Sequence, residues 1–501
     1  MPTWLSASPY KHLTVLVWLA LSMAGPGLSL SAAEASALRP PFNLDQVIGQ
    51  STAPVGFPVN WGVREGRPVP ADYEVDPEIT GNPAYREAFT AGLRSLPSLR
   101  MDLEVSDLFG PDRGIYSHPL ETGSAWERAG IMEWVGEDGT ALIRCPVGVR
   151  IQGGWNRRPE ESPKHSFRLI FRKRYGAGKF EFPLFGKDEP REFDELILRA
   201  GCNNTWLHWD AAERRRGDFL RDQWMRDTHA AMGHPAARGR FVHLFLRGLY
   251  WGLYNIVERP SAPFVASRMG GKPGHYDVRN GSNVLEGDDI AWKELMRLAN
   301  ADLEKTEPYS QVAERVDLTA FADYMLLNTY GANGDWDGSS NWYAARRRQP
   351  AGPFVFFVWD GERTLENPTD SSLSQDADES PPGLFSKLRK NAEFRRLFAE
   401  RARKHLTGDG VLTPGRAAAR YRQLATAIES AVVAESARWG DYRRDTHSYK
   451  TGPYELYTRD DHWRPEVQRL LNDYFPRRTT LLISQLKEAR LWGGQQPSHS
   501  E

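Results

Sequence analysis

One stretch of the chain reads Asn333-Gly334-Asp335-Trp336-Asp337-Gly338-Ser339-Ser340-Asn341-Trp342-Tyr343, a polar loop dense in carboxylates and amides. A helical pattern, Leu318 to Tyr330, precedes it, and an apolar run that ends at Trp359-Asp360 follows it. A buried strand that delivers a carboxylate beside a loop with Asp and Asn is a common way to hold a divalent cation against phosphates. Because Asp-Gly and Asn-Gly are turn formers, a simple turn before a core strand explains the same residues equally well.

Upstream of this loop, the sequence predicts a helix and then a β-hairpin. Asp218 to Met232 has helical spacing and is stopped by a glycine and a proline. Arg240 to Leu246 and Gly252 to Val257 alternate around a glycine turn and predict the two strands of the hairpin. The second strand runs into Glu258-Arg259-Pro260, where the proline ends it and starts a connection.

A glycine pair and a lysine-bearing strand form a second motif, nearer the N-terminus. Gly153 and Gly154 follow a predicted strand, Leu142 to Gln152, and Lys164 lies at the start of the next one. A strand, a glycine turn and a strand with a cation can cover and clamp phosphate groups. A hairpin with an exposed lysine is the more frequent meaning of such a pair, so this motif depends on support from the rest of the chain.

Composition and the N-terminus narrow the function classes. The formal net charge of −1 gives no overall field that would draw the chain to nucleic acid. Lys11 and His12 precede an apolar run and then small residues, the layout of a secretory signal peptide cleaved near Ala33. No later run is apolar for long enough to span a bilayer, so we expect an exported protein without a stable membrane span. Cys145 and Cys202 could pair in an oxidising compartment or remain free buried thiols.

Downstream of the polar loop, the sequence predicts a long irregular segment and then helices. Glu366 to Pro382 is rich in Ser, Asp, Glu and Pro, and loops of this length are often functional or disordered. Helical patterns follow at Leu384 to Leu406, Pro414 to Ala437 and His462 to Leu491. The chain therefore changes from mostly strands to mostly helices, which indicates an α+β fold.

The order of these blocks resembles the spore-coat protein H (CotH) kinase-like family, which is distantly related to the protein kinases. Five blocks carry the resemblance: Asp107 to Tyr116, Pro163 to Leu169, Gly248 to Tyr254 with Val257 to Pro260, Asn333 to Trp336 with Asn341 to Tyr343, and Trp359-Asp360. They extend over roughly residues 99 to 365, and the helical tail to about residue 493 is similar to the family's usual C-terminal part. Five blocks in the family's order are far more specific than any one block.

The resemblance implies transfer of the ATP γ-phosphate to a Ser or Thr hydroxyl of an exported protein, with Mg²⁺ or Mn²⁺ as cofactor. We therefore expect a protein kinase that is secreted, periplasmic or at the cell surface, without a nucleic-acid partner. The physics agrees, because phosphoryl transfer needs positioning, divalent ions and a carboxylate near the incoming oxygen rather than covalent help.

The resemblance also implies roles for individual residues. Asp335 is similar to the catalytic-loop aspartate that orients the acceptor hydroxyl, and Asn341 and Asp360 are similar to the metal ligands. Lys164 resembles the lysine that neutralises the nucleotide phosphates. The other implied ATP-binding residues are the glycine lid, Gly153 and Gly154, and Glu258 in the connection near the adenine.

Several features depart from the protein-kinase pattern and leave alternatives open. Asp335 and Asn341 are six residues apart rather than five, so Asp337 is a rival for the catalytic role. The helix at 218 to 232 has no Glu to partner the lysine, which leaves Asp222 and Asp227 as candidates. These departures keep a second class open: an inactive kinase-like fold that acts as a structural or surface-binding protein. A metal-dependent hydrolase that uses the same carboxylates is a third and weaker reading.

We therefore predict an α+β, protein-kinase-like architecture with two lobes. A signal peptide at 1–33 precedes a linker and N-terminal extension at 34–98. A β-rich N-lobe spans 99–257, a mostly helical C-lobe spans 258–493, and a disordered tail covers 494–501. The site is expected in the cleft between the lobes, where pockets are common.

Overall fold

The computed structural model describes residues 42–336, 338 and 340–493. Strands dominate its N-terminal part and helices its C-terminal part, which confirms the α+β prediction. The strands are β1 Asn60–Arg64, β2 Arg67–Pro70, β3 Ser98–Leu103, β4 Arg128–Val135, β5 Ala141–Gln152, β6 Ser166–Ile170, β7 Phe180–Glu181, β8 Glu192–Phe193, β9 Glu195–Arg199, β10 Gly239–Leu246, β11 Leu249–Glu258, β12 Tyr276–Asn280, β13 Asn283–Glu286, β14 Trp342–Arg347 and β15 Val355–Val358. The α-helices are α1 Leu44–Ile48, α2 Pro77–Thr80, α3 Pro83–Leu93, α4 Val105–Phe109, α5 Ala211–Arg215, α6 Arg221–Ala231, α7 Ala262–Met269, α8 Ile290–Ala299, α9 Thr306–Ala313, α10 Leu318–Gly331, α11 Pro381–Leu388, α12 Ala392–Leu406, α13 Pro414–Ile428, α14 Ala431–Trp439, α15 Arg464–Arg469 and α16 Phe475–Glu488.

Seven strands close into a barrel in the order β10-β11-β9-β6-β5-β4-β3. Neighbouring strands are antiparallel except β10 and β3, which run parallel and complete the ring. Side chains alternate between the two faces of each strand. In β9, Leu196 and Leu198 join the apolar barrel interior, whereas Ile197 belongs to a separate apolar cluster with β11 and β12. By the same alternation, Arg199 lies on the outer face with Ile197.

A four-stranded antiparallel sheet, β13-β12-β14-β15, forms a second layer and flanks the polar loop. β14 begins directly after Asn341, and β15 ends directly before Trp359. Phe356 of β15 packs against Phe321 and Tyr324 of α10, with ring centroids 4.9 and 5.6 Å apart. The sheet and α10 therefore fix both ends of the acidic segment relative to one another.

The helices begin where their capping signals indicate. The Asp317 side chain accepts a hydrogen bond from the Ala320 amide at the start of α10. The predicted helix Leu384 to Leu406 is two helices, because Asn391 caps the Glu393 amide and begins α12 anew. The predicted helix Pro414 to Ala437 is likewise divided, into α13 and α14.

The helix α14 packs on the barrel, although it belongs to the helical C-terminal part of the sequence. The Trp439 indole N–H donates to the Trp251 carbonyl oxygen over 2.8 Å, and Trp439 and Tyr442 belong to the apolar cluster of the barrel. The barrel and this part of the helical region therefore share one core. Trp439 and Tyr442 therefore pack with the barrel although they lie within the predicted helical C-lobe, 258–493.

The described residues before the barrel, in the segment predicted as a linker and N-terminal extension at 34–98, form the helices α1 to α3 and the strands β1 and β2. Val47 of α1 and Phe89 and Leu93 of α3 are buried in one cluster with Val433 and Ala437 of α14. A few widely spaced apolar residues are enough to dock this segment, because α14 supplies a matching apolar face.

Some expectations lie outside the described residues: the signal peptide, the tail at 494–501 and the rival residue Asp337. In the part of the chain that the structure describes, no helix is long and apolar enough to cross a membrane. Cys145 and Cys202 are both free, so the alternative of free thiols holds.

Candidate active site

A cleft of about 620 Å³ opens where the barrel faces the second sheet and the polar loop. Its walls come from the turn after β5, the outer face of β9, the ends of β12 and β13, and the loops around β14 and β15. The residues that line it are Gln152, Gly153, Gly154, Trp155, Asn156, Ser166, Ile197, Arg199, Cys202, Asn203, Trp209, Asn280, Asn283, Gly334, Asp335, Ser340, Asn341, Trp359, Asp360, Glu362 and Arg363. A cleft of this volume admits a ligand the size of a nucleotide.

Arg199, the last residue of β9, is the cation at the centre of this cleft. Its guanidinium contacts three carboxylates: Asp360 at 2.5 Å, Glu362 at 2.6 Å and Asp222 of α6 at 3.2 Å. Burial alone would lower its pKa, but these carboxylates raise the pKa of Arg199 well above the ordinary value. The residue therefore remains charged and ties a barrel strand, a helix and the loop after β15 to one point.

The loop after β15 brings Asp360 to the cleft in a strained conformation. Asp360 has φ of +58°, in the left-handed region that non-glycine residues rarely adopt. The next residue, Gly361, donates its amide hydrogen to Asp222 over 3.0 Å, and a Cβ at that glycine would lie 2.9 Å from Met225 of α6. The side chain of Asp360 nevertheless remains 33% exposed. An accessible carboxylate on a strained backbone is typical of a functional position.

Glu362 lies deeper in the same loop and has an altered acidity. Its carboxylate accepts hydrogen bonds from the amides of Cys202 and Asn203, at 3.1 and 2.9 Å. Burial, together with the carboxylates of Asp360 and Asp222, raises the pKa of Glu362 to about 7, against the opposing effect of Arg199. A carboxylate that titrates near neutrality in a cleft is a common property of functional sites.

The polar loop presents Asp335 and Asn341 from the opposite wall. α10 ends at Gly331, and its C-cap residue Ala332 has a left-handed conformation. The Asp335 amide then donates to the Asn333 side chain over 3.2 Å. Asn341 also has a left-handed backbone, with φ of +65°, and its side-chain amide donates to the Asp335 carbonyl oxygen over 2.7 Å. The structure thus brings Asp335, Asn341 and Asp360 to the lining of one cleft.

The glycine turn also lines the cleft. Gly153 has φ of +123°, and a Cβ there would collide with the Asn156 side chain, so this position requires glycine. Arg157 holds the turn through hydrogen bonds to the carbonyl oxygens of Gly153 and Ile151, both at 2.6 Å. A Cβ at Gly154 would meet nothing within 4 Å, which leaves room for a ligand against this backbone.

Lys164 does not lie in the cleft. Its ammonium group donates to Glu435 of α14 over 2.5 Å and to the Leu253 carbonyl oxygen over 2.7 Å, and the side chains of the ion pair are only 3% exposed. It is therefore part of a closed ion pair between the barrel and α14. The cation that faces the cleft is Arg199. It pairs with Asp222 of α6, which the sequence analysis offered as a candidate helix partner of Lys164.

Glu258 also faces away from the cleft. Its carboxylate accepts a hydrogen bond from the Arg238 amide over 3.0 Å and pairs with Arg268 over 2.5 Å. Its backbone belongs to the end of β11, paired with β10 and β9. The residue therefore stabilises the end of the barrel strand and is absent from the cleft lining.

The acids of the cleft suit a hard cation by their chemistry. Asp335, Asn341, Asp360 and Glu362 offer only oxygen ligands, which Mg²⁺ and Mn²⁺ prefer. Among the described residues, no group of three or more His, Cys, Asp or Glu is arranged as a ready-made metal site. Mg²⁺ usually takes one or two carboxylates and completes its shell with waters and substrate phosphates. The donor set therefore fits a metal that arrives with a phosphorylated ligand.

These features define a class of α+β protein: a closed β-barrel and a helical region with an acidic, glycine-edged cleft. A family comparison then identifies the family. Residues 149–481 match the family described as CotH kinase protein, which is more than half of the 501 residues. The chain belongs to this family and is a kinase-like protein. A comparison with curated proteins finds no match.

Sequence reasoning missed Arg199 and Glu362 as parts of the site. Side chains alternate between the two faces of a strand, and this period could have shown that Ile197 and Arg199 share the outer face of β9. Glu362 follows Asp360 by two residues and could have been grouped with it on the same loop. Nothing in the local sequence shows that Arg199 reaches Asp360, since the two are 161 positions apart.

Proposed function

We propose that this protein is a secreted, metal-dependent protein kinase that transfers the γ-phosphate of ATP to Ser or Thr residues of an exported protein. Membership of the CotH kinase family supports a kinase-like activity. The observation that carries the proposal is the contact of Arg199 with both Asp222 and Asp360 in a cleft that Asp335 and Asn341 also line. Export is supported by the signal-like pattern before Ala33.

The order of the parts along the chain supports a kinase-like arrangement of two lobes around the cleft. Protein kinases use a glycine-rich loop, a strand cation paired with a helix acid, a catalytic-loop Asp and Asn, and an Asp after a strand. Here a glycine turn precedes β9 with Arg199, and α6 with Asp222 follows. The polar loop and then Asp360 complete the set. Arg199 takes the part that the resemblance assigned to Lys164.

The cleft lining combines apolar and polar residues. Its apolar members Ile197 and Trp359 are buried, with 0% and 6% of their surfaces exposed. Beside the glycine turn, the guanidinium of Arg157 donates hydrogen bonds to the carbonyl oxygens of Ile151 and Gly153, and also to those of Pro119 and Glu121. With no carboxylate partner among the described residues, its charge is not neutralised. It therefore favours a polyphosphate beside Gly154.

In the proposed reaction, Asp335 orients the acceptor hydroxyl and takes its proton as the oxygen attacks the γ-phosphorus. The bond from this phosphorus to the bridging oxygen of ADP breaks at the same time, so that ADP leaves. Asn341 and Asp360 would hold Mg²⁺ or Mn²⁺, which would neutralise charge on the phosphate oxygens. Arg199 orients Asp360 and keeps the developing charge near a fixed cation.

One observation favours a second candidate, a non-catalytic kinase-like protein. Arg199 is engaged with three carboxylates at once, at 2.5 to 3.2 Å, so a phosphate would have to compete with them. In this reading the cluster stabilises the loop after β15, and the cleft binds nucleotide weakly or not at all. ATP is also scarce outside the cytoplasm, where the signal-like N-terminus directs the chain.

Thermal unfolding of the mature protein with ATP, with and without Mn²⁺, decides between the two. A ligand that binds only the folded state stabilises it by about 2.7 kcal/mol at a hundredfold excess over Kd. We expect a metal-dependent shift in wild type, none in Asp360→Ala, and a normal shift in the exposed control Asp409→Ala. An absent shift in wild type at millimolar ATP contradicts the kinase proposal.

Phosphate transfer then tests the role of Asp335. Asp335→Asn keeps the size and shape of the side chain but removes the basic carboxylate, so the ATP shift should persist while transfer of radiolabelled phosphate falls by about 100-fold or more. If Asp335→Asn transfers phosphate at the wild-type rate, the catalytic assignment moves to Asp337.

A further inference from the structure

A second depression, a groove of about 520 Å³, lies on the barrel beside the cleft. The hairpin β1–β2 forms one side, and the segments at 117–120 and 158–160 form the other. Two large apolar side chains stand exposed along it: Val63 at 71% and Leu120 at 60%. Both precede residue 149, where the family match begins. Exposed apolar groups gathered in one groove indicate a surface that is covered by a partner.

A stacked pair of side chains connects this groove with the cleft. Arg158 lines the groove, and its guanidinium carbon lies 3.9 Å from the centre of the Trp155 ring. Trp155 is 53% exposed and lines the cleft next to the glycine turn. An occupant that enters the groove therefore passes Arg158 and Trp155 before it reaches the cleft.

The charges along the groove differ in how far they are neutralised. Arg64 pairs with Glu160 and with Glu65. Arg158 has no carboxylate partner and donates no side-chain hydrogen bond within the described part of the chain. An arginine that is stacked on an aromatic ring keeps its N–H edges free for a carboxylate. Because its side chain is already partly ordered, binding costs little further conformational entropy. The groove therefore offers one position that can bind an anionic side chain, at Arg158, beside one that can bind an apolar side chain.

We propose that this groove docks an extended segment of the protein substrate. An acidic side chain of that segment pairs with Arg158, an apolar side chain packs on Val63 and Leu120, and the Ser or Thr lies further along, in the cleft near Asp335. A small molecule would fill only one of the two depressions, whereas an extended chain reaches both. This inference rests on the proposed kinase function, because it concerns that enzyme's protein substrate.

Binding of short fluorescein-labelled peptides to the mature protein, measured by fluorescence anisotropy without nucleotide, tests the proposal. The probe contains one Ser, one Asp and one Leu in a poly-Gly background; its matched controls carry Lys for Asp or Gly for Leu. We expect wild type to prefer the Asp–Leu peptide. The substitution Arg158→Glu should weaken binding of the Asp–Leu peptide about tenfold, and the variant should prefer the Lys peptide. Leu120→Asp should weaken binding of the Asp–Leu peptide roughly tenfold through the lost apolar contact.

Two exposed substitutions elsewhere serve as controls: Arg94→Glu, which changes the same charge, and Leu142→Asp, which removes the same side chain. Neither residue lines the groove or the cleft. The docking proposal is overturned if wild type binds the Asp and Lys peptides with equal affinity. It is also overturned if the Arg158→Glu variant does not reverse the preference. Either result leaves the metal-dependent ATP shift, and with it the kinase proposal, untouched. If the ATP shift is absent but the peptide preference is intact, the kinase proposal is overturned and the groove remains a peptide-binding surface.

Discussion

Two cation–carboxylate clusters of the barrel invite comparison. Lys164 pairs with Glu435 of α14, and Arg199 pairs with Asp222 of α6 as well as with Asp360. In each case a positive group of the barrel meets a helix acid. In the first, both side chains are 3% exposed; in the second, Arg199 is 12% and Asp360 33% exposed, beside an open cleft.

The difference shows that the surroundings of an ion pair, rather than its residue types, decide what it can do. Lys164 donates to Glu435 and to a carbonyl oxygen, and Glu435 also accepts from the Leu253 amide. That pair is satisfied and sealed, so no ligand can use its charge. The Arg199 cluster has more acids than cations and reaches solvent, so it can exchange partners with a ligand.

The largest expected effect is the loss of the sealed pair. Lys164→Ala leaves the Glu435 carboxylate buried without its cation and should lower the free energy of unfolding by about 3–5 kcal/mol in urea titration. The double variant Lys164→Met with Glu435→Gln should recover most of this loss. The exposed pair offers a control, since Lys293→Ala should leave stability unchanged. If the Lys164→Ala protein is stable but no longer binds ATP with Mn²⁺, the comparison is wrong and Lys164 is the residue that contacts the nucleotide.

A smaller loss of stability is expected at the open cluster. Arg199→Met should lower the free energy of unfolding by about 2–3 kcal/mol, because Arg226 still neutralises Asp222 at 3.2 Å and Asp360 remains partly solvated. It should also abolish the ATP-dependent thermal shift, which Arg199→Lys retains in part. An unchanged ATP shift in a folded Arg199→Met protein would show that this cation serves structure alone.

The pH dependence of stability sharpens the same comparison. Because the pKa of Glu362 is raised from 4.5 to about 7, the native state keeps a proton that the unfolded chain has already released. The free energy of unfolding should therefore fall as the pH rises from about 4.5 to about 7, by roughly 1–3 kcal/mol, and the contribution of Glu362 should level off above this window. Glu362→Gln should remove this component, as measured by urea titrations across the window. The exposed control Glu87→Gln should keep the wild-type slope; a Glu362→Gln variant with that same slope would contradict the assignment.

The smallest effect concerns the support of the polar loop. The Trp336 indole N–H donates to Gln375 over 2.6 Å, and Gln375 donates to the Asn333 carbonyl oxygen over 3.1 Å. Gln375→Ala should cost about 1 kcal/mol and speed hydrogen exchange at the amides of residues 333–336. The helix-surface control Gln311→Ala should leave that exchange unchanged. Unaltered exchange in Gln375→Ala would mean that the segment at 366–382 does not hold the loop.

The sequence by itself determined many of the local elements and five of the residues that line the cleft. Periodicity predicted α10 and β10 to within one residue of their ends, and the glycine turn, Asp335, Asn341 and Asp360 were found from their own motifs. These features are local, since strand period, turn chemistry and caps act within a few residues. The order of the motifs was also enough to indicate the CotH kinase family, which the match over residues 149–481 confirmed.

Only the tertiary structure decided which cation faces the cleft. Lys164 is sealed because Glu435, 271 positions later in the chain, arrives on α14, and Arg199 is central because Asp360 reaches it from the second sheet. Likewise, α14 gives the segment from residue 42 a surface on which to fold. Burial and partnership depend on which distant segments pack together, and no local pattern of residue types records that choice.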